Sequence, residues 1–468
     1  MKRTEAQPEP GSFRDREGRV FYREGRIYRA LSARASADWQ ALEGTSFFET
    51  ASRRGQIVPT RPADLPPEEL TQPTGNWVAV LEHKRLPFIS YPYEWCFGML
   101  RDAALLHLDL MLGSLEEDLI LKDSSAYNIQ WLGAHPQHID IPSFQRWQPG
   151  EAWVGYRQFC QLFLYPLMLT AYRQLPFQPW LRGSIDGITP EDCNKLLTGR
   201  DRLRGGVFTH VYLQSKLLAA AGKPSSSLRR ELKAAGLGKQ IIIRNVRGLR
   251  KLITRLRWKR SSSEWSSYID QHSYSEEDEK AKRAFIERAV AKRHWGLVWD
   301  LGCNTGAYSR IAAENSSFVV AIDGDSLAVE RLYHELKIEG NRKILPLVVN
   351  LADPSPNLGW DGKERRSLAA RADVDLILCL ALVHHMVISA NVPLAEFIDW
   401  LARLRSHLVI EFVTRDDAMV QRLLLNKDDI YHDYNLANFE KEIGRRFTTL
   451  AVEELHNGTR VLYFLRPR

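Results

Sequence analysis

From about Ser263 to Arg468 the sequence predicts an α/β fold, a parallel sheet with helices on both faces that closes on an antiparallel hairpin. Five apolar runs read as strands: Leu297–Leu301, Phe318–Asp323, Ile344–Asn350, Val374–Leu380 and Leu408–Val413. Amphipathic stretches separate them, and strands alternating with helices imply parallel crossovers. The last two runs, "RRFTTLAVEEL" and "TRVLYFLRPR", have no helical stretch between them and pair as a hairpin. The half that precedes this region reads as α+β.

Taken in order, residues 1–95 form a small β-rich lobe. Short alternating runs with Gly turns, as in "EGRVFYREGRIYRAL", precede a helical stretch and the Pro-rich loop "VPTRPADLPPEELTQPTG". Residues 96–222 are a helical lobe, in which "MLRDAALLHLDLMLGSLEEDL" places apolar residues at three- and four-residue steps. The longest apolar run, Phe159–Tyr172, contains Pro166 and is too short to span a bilayer, so it reads as a buried helix. "KPSSS" then breaks the pattern, and residues 223–262 form a basic linker ahead of the 263–468 domain.

Composition narrows the function classes. At 468 residues the chain needs more than one core. Its 44% hydrophobic and 26% charged content is that of a soluble globular protein. The cysteines Cys96, Cys160, Cys193, Cys303 and Cys379 are widely spaced and never paired as CxxC. This argues against a disulfide framework or a zinc site, and no metal ligands are assigned. The N-terminus lacks the apolar stretch of a signal peptide, so the expected location is cytoplasmic. The net charge of +7 is local: Lys223–Arg260 holds 13 Lys or Arg against Glu231 alone, a net +12 that leaves the remainder at −5.

The most informative stretch is "LVWDLGCNTGAYSR", Leu297–Arg310. An apolar strand ends in an acid and breaks into Gly302, Asn304 and Gly306 before a helical pattern. Glycines permit a tight turn with close backbone approach, and a helix N-terminus favours a polar or anionic ligand. A second strand ends in Asp323, at the distance where a carboxylate accepts hydrogen bonds from ribose hydroxyls. The GxNxG form after an acid is not the GxGxxG of dinucleotide enzymes. It resembles motif I of class I S-adenosylmethionine (SAM)-dependent methyltransferases over Trp265–Arg468, and the closing hairpin suits that family.

The resemblance implies a Rossmann-like methyltransferase domain with SAM as cofactor. By position, Asp300, Gly302, Asn304 and Gly306 would line its methionine end and Asp323 would bind the ribose. Asn350, Leu351 and Asp353 would flank the adenine, although the long polar insertion "NLADPSPNLGWDGKERRSLAARAD" departs from the pattern there. "EWSSYIDQHSYSEEDEKAKRAFIERAV" reads as a helical lid carrying Tyr268 and Tyr274, whose rings either close over the cofactor or pack. His384 and His385, in "LCLALVHHM", fall where the transferable methyl is expected. They either take the acceptor's proton, or one or both cap the next helix or hydrogen-bond within the site. Glu411, in "LVIEF", is a second candidate base at the carboxyl edge of the sheet.

The N-terminal half carries another pattern. "LILKDSSAYNIQWLGAHPQHIDIPSF" places Asp123, then Asn128, then Asp140, in a strand–loop setting. Phosphoryl transfer needs a carboxylate near the accepting hydroxyl, with an amide and a second carboxylate holding metal on the phosphates. The pattern over residues 13–220 resembles protein-kinase-like and aminoglycoside-phosphotransferase-like folds, which implies ATP and Mg2+ as ligands; "LPFISYPYEW" would link the lobes. The departures are Leu121 and Lys122 where a His would precede Asp123, no Gly-rich phosphate loop, and no Lys–Glu pair in the first lobe. An inactive substrate-binding domain, an active kinase-like domain and chance resemblance all stay open.

The basic segment alternates arginines with Leu, Ile and Val at near-helical spacing. Such a segment suits nucleic acid, an anionic membrane surface or an acidic partner, or serves as a solvated linker packed between domains, its charges meeting the acidic remainder. Trp258 alone interleaves the charges, which is thin for base stacking. The chain as a whole also resembles bacterial methyltransferase-like proteins linked to nodulation, which fixes no substrate. The expected function is SAM-dependent O- or N-methylation of a small-molecule or carbohydrate-like acceptor behind a kinase-like domain. The alternatives are a nucleic-acid or protein methyltransferase docked through 223–260, and a bifunctional kinase–methyltransferase.

Overall fold

The computed structural model describes residues 6–70, 76–220, 238–259, 275–425, 427–428 and 430–468. The chain divides into two compact units: residues 1–131, 136–259 and 357–365 form one, and residues 132–135, 260–356 and 366–468 the other.

The first unit opens with a five-stranded antiparallel sheet. Its strands are β1 (Gln7–Pro8), β2 (Gly18–Arg23), β3 (Arg26–Ser32), β4 (Thr60–Pro62) and β5 (Trp77–His83), in the order β1-β2-β3-β5-β4. The β2–β3 turn is Glu24-Gly25, both at positive φ, as a two-residue hairpin with right-twisted strands requires. Phe21, Ala30, Leu70 and Val80 form one core cluster against this sheet. Ser32 ends β3 and caps helix α1 (Ala33–Glu43), accepting from the Ala35 N–H.

Helix α2 (Phe97–Glu116) is buried along nearly its whole length, as its dense apolar periodicity foretells. Short pairs follow: β6 (Leu119–Leu121) with β9 (Phe144–Arg146), and β7 (Ile129–Leu132) with β8 (His135–His138). The run around Pro166 is indeed a buried helix, Tyr156–Phe159 and Tyr165–Arg173 joined by a π-type turn, Cys160–Leu164. Proline lacks the N–H for its own rung of the helix, and the wider turn lies immediately before it.

The described part of the basic segment is helical and packed. Residues 239–255 form helix α3 (Lys239–Arg255) in the first unit, with Ile242, Ile243, Val246, Leu249 and Ile253 buried, and it packs on α2. Residues 357–365 of the polar insertion also belong to the first unit, where the Arg365 guanidinium lies 3.9 Å from the Tyr127 ring centre and Glu364 pairs with Arg14.

The second unit is a Rossmann-like α/β domain. Helix α4 (Glu276–Val290) leads into β10 (Trp295–Leu301), α5 (Ala307–Glu314), β11 (Ser316–Asp323), α6 (Ser326–Ile338), β12 (Ile344–Val348) and β13 (Leu376–Cys379). Then come α7 (Leu394–Arg403), β14 (His407–Val413), α8 (Leu436–Arg446) and the hairpin β15 (Phe447–Glu454) with β16 (Arg460–Pro467). The sheet order is β12-β11-β10-β13-β14-β16-β15. β10 to β14 run parallel, and β16 is antiparallel to both of its neighbours. The central strands are buried on both faces, which is why they read as unbroken apolar runs. Strand order reverses between β10 and β13, and the carboxyl ends of the parallel strands share one edge. Among the described residues no helix is long and apolar enough to cross a membrane.

Candidate active site

The turn after β10 has the backbone its composition demands. Gly302, Asn304 and Gly306 all sit at positive φ, 76°, 49° and 80°. Gly306 is the N-cap of α5, and a Cβ there would lie 2.7 Å from the Leu332 side chain, so only glycine fits. The N–H groups of Gly302 and Cys303 both reach the Ile322 carbonyl, which fastens the turn to β11.

Asp323, at the end of β11, accepts the Asn304 backbone N–H on one oxygen and the Asp325 N–H on the other, each at 2.8 Å. Burial pushes its pKa up from the ordinary carboxylate value, while these backbone bonds pull it back. Each oxygen retains a lone pair for a further donor. Asn304 and Asp323, 19 positions apart, therefore form one unit.

Asp300 is placed differently from the expectation that it lines the crevice. It is buried beneath the turn and accepts from the Ser309 hydroxyl at 2.5 Å, tying α5 to β10. Burial pushes its carboxyl up to about 6. Asn350 and Asp353 follow β12 in an exposed turn, with Asn350 accepting from the Ala352 N–H through its side chain and from the Asp353 N–H through its carbonyl. Tyr268 and Tyr274 lie outside the described residues.

After β13 the chain passes through Ala381 at positive φ and enters a π-type turn at His385–Ser389. His384 precedes that turn without capping it. Its ring is 1% exposed and neither nitrogen has a hydrogen-bond partner in the structure. The His385 ring packs against it, with centroids 4.1 Å apart. Burial, with His385, Arg460 and Lys282 nearby, holds His384 well below the ordinary histidine range, and burial pushes His385 down to about 4. Both rings are therefore neutral near pH 7.

Glu411 is not a free base. It is wholly buried, accepting from Lys282 at 2.7 Å and Arg460 at 3.2 Å. Arg460 also holds Asp417 at 2.9 Å, so four buried charges alternate in sign as Lys282, Glu411, Arg460 and Asp417. Two cations engage both of its oxygens. Lys282, Ser309, Arg460 and Asp417 are functional-site neighbours that the sequence reading missed. Lys282 had a signal: it takes a place in the apolar stripe of α4 with Phe285, Ile286 and Ala289.

In the first unit, Asp123 accepts from the Asn128 amide at 3.0 Å and from the Ser125 N–H at 3.1 Å. Asp140 is close enough to push Asp123 up further, after burial. Asp140 itself is paired with Arg29 at 2.7 Å. The three residues thus come together, with a guanidinium on the carboxylate expected to hold metal.

No family model matches the chain. Among solved structures, the N-methyltransferase NodS from Bradyrhizobium japonicum WM9 is similar at 14% identity and TM-score 0.31, over 42% of this chain and 99% of that one. The magnesium protoporphyrin IX methyltransferase ChlM from Synechocystis PCC 6803, with bound S-adenosylhomocysteine, is similar at 16% identity and TM-score 0.30, over 43% and 92%. One curated relative extends the full length: the nodulation protein NoeA of Rhizobium meliloti (strain 1021) is 32% identical over 464 residues, 98% of this chain and 96% of its own. The chain belongs to the NoeA family.

Proposed function

We propose that the chain is a SAM-dependent methyltransferase acting by O- or N-methylation on a small-molecule or carbohydrate-like acceptor. The observation that carries this reading is the Asn304–Asp323 unit at the point where the strand order of the sheet reverses. That is where open α/β sheets bind nucleotide-like ligands. The residues fit the cofactor. Asp323 keeps acceptor capacity for the ribose, the positive-φ turn opens its backbone toward the methionine end, and Asn350 and Asp353 are exposed at the adenine end.

When bound, SAM supplies an electrophilic methyl group. The chain's own task is to orient the acceptor and take its proton. His384, neutral and with two unpartnered nitrogens, is the group suited to that task, and His385 is its neighbour. Glu411 acts as an electrostatic anchor for Lys282 and Arg460 rather than as the base. Calorimetry with the full-length protein tests the reading: SAM binding is expected, and its absence overturns the reading.

We assign the first unit a ligand-binding role related to the kinase-like constellation, without phosphoryl transfer. The Arg29–Asp140 ion pair favours this, because Arg29 supplies positive charge where a kinase-like site would place Mg2+. Stabilisation by Mg2+–ATP with measurable hydrolysis would instead support the bifunctional reading. Five free, buried cysteines are in keeping with a cytoplasmic location.

A further inference from the structure

The apolar face of α3 is already covered: Ile242, Ile243, Val246, Leu249 and Ile253 are buried within the first unit. This excludes the usual mode of a basic amphipathic helix, which lays its apolar face into the bilayer. What α3 presents outward is charge. Arg244, Arg247, Lys251 and Arg255 are exposed, and none pairs with an acid among the described residues. At 3.6 residues per turn they fall within an arc of about 80° and extend about 16 Å along the helix. Their neighbours Lys239 and Arg250, by contrast, are neutralised by Asp118 and Asp109.

A loop lies beside this row. Gly205 and Gly206 approach α3 so closely that a Cβ on either would meet the Leu252 side chain, at 3.4 and 2.4 Å. The same loop projects Leu203, 92% exposed, between Arg202 and Arg204, with Arg200 exposed just before it and Phe208 half exposed just after. A lone exposed leucine means nothing. An exposed leucine that ends the 3-10 turn Gly199–Leu203, between Arg202 and the Asp201-paired Arg204 and beside a row of unpaired cations, presents the two chemistries of an anionic bilayer together. The cations meet headgroups and the apolar side chain meets the acyl boundary.

Nucleic acid fits this face less well, because base stacking needs free aromatic faces. Tyr212 is occupied by Arg202 at 4.1 Å and by Phe208 at 5.7 Å, and Trp258 is partly buried. We propose that this face of the first unit docks the protein on an anionic lipid surface, with Arg244, Arg247, Lys251 and Arg255 over the headgroups and Leu203 entering the acyl boundary.

The test is co-sedimentation of the full-length protein with phosphatidylcholine vesicles and with equimolar phosphatidylcholine–phosphatidylglycerol vesicles. Binding is expected to the second alone, weakening as salt rises. The variant R244Q/R247Q/K251Q/R255Q alters only exposed side chains and should bind about a thousandfold more weakly. Because the native cysteines are all buried, Leu203→Cys takes an environment-sensitive maleimide dye selectively, and its emission should shift to the blue on the anionic vesicles. Three results would overturn the proposal: no binding to anionic vesicles, binding unchanged in the quadruple variant, or an unshifted dye. So would single-stranded RNA displacing the protein from vesicles through the same four residues without the dye shift.

Discussion

The backbone N–H of Asn304 bonds the carboxylate of Asp323 at 2.8 Å, and this pair joins the β10 turn to the end of β11. On the proposed reading, the side chain that holds the turn also accepts from the cofactor's ribose. Asp323→Ala should weaken SAM binding by about 1–3 kcal/mol, roughly five- to 150-fold, through lost hydrogen bonds. Asp323→Asn keeps one acceptor oxygen and should lose less. Titration calorimetry on the full-length variants checks the order; equal affinity in wild type and Asp323→Ala would remove Asp323 from the cofactor site.

How much of this was legible follows from sequence distance. The turn from Asp300 to Gly306 could be read because its φ requirements are local, and Asp323 because it lies one βα unit away. Likewise, the five parallel strands and the closing hairpin follow from short-range periodicity. Lys282 and Glu411 are 129 positions apart, and nothing local says that they meet. The assignment of residues 357–365 to the first unit is equally invisible, since that segment reads as a polar insertion. Asp300 read as a ligand contact because motif position says nothing of the Ser309 hydroxyl that engages it.

The chain of Lys282, Glu411, Arg460 and Asp417 should behave as one unit. Removing its middle anion leaves two buried cations facing each other, so Glu411→Ala should destabilise by about 3–5 kcal/mol. Lys282→Met removes a charge that Arg460 partly replaces and should cost less. The double variant Lys282→Met/Glu411→Ala should cost less than the sum of the singles, because each single leaves the other partner uncompensated. Urea denaturation of the three proteins checks this; strict additivity would mean that the two residues are not coupled.

Acid should unfold the protein earlier than its carboxylates alone predict. Burial pushes His83 and His107 down to about 3 and His385 to about 4. Below the ordinary histidine value of about 6.5 the unfolded chain binds protons that these folded sites refuse, so stability falls as pH falls. Each contributes up to about 1.4 kcal/mol per pH unit across its own window. Asp300, pushed up to about 6, opposes this, as do Asp123 and Asp323, whose carboxyls burial also pushes up. Urea midpoints should drop between pH 7 and pH 5, and His107→Phe, whose ring would stay among Trp153, Phe159 and Phe163, should flatten the dependence. A midpoint that rises on acidification would refute the assignment.

The Arg29–Asp140 pair sets an expectation for the first unit. Magnesium and ATP together should leave the melting temperature of the wild-type protein unchanged. Arg29→Ala exposes the Asp140 carboxylate and should lower stability by about 1–3 kcal/mol, since a part-buried charge loses its partner. If the guanidinium stands in for metal charge, added Mg2+ should restore some stability to Arg29→Ala and none to Arg29→Ala/Asp140→Asn. Tight ATP binding by the wild type would show that phosphoryl chemistry survives.

The proposed function makes His384 the group that takes the acceptor's proton. Its ring is buried, both nitrogens lack partners in the structure, and a polar ring so placed is costly unless a ligand or water satisfies it. A hydroxyl or protonated amine attacks poorly until its proton is removed, and a positioned base contributes about 10²- to 10⁴-fold. Because burial lowers its proton affinity, His384 is already neutral at pH 7, and turnover should fall only when the pH drops well below the ordinary histidine range. His384→Ala should therefore cut kcat by at least about a hundredfold with SAM affinity intact, and His384→Gln should not restore it, since an amide cannot take the proton. His385→Ala, removing a packing neighbour, should lose less. With the acceptor identified by comparing metabolites of wild-type and deletion strains, kcat and KM measured across pH decide the matter. A loss below tenfold in His384→Ala, with SAM binding normal, would make the ring architectural and leave the acceptor's proton to solvent.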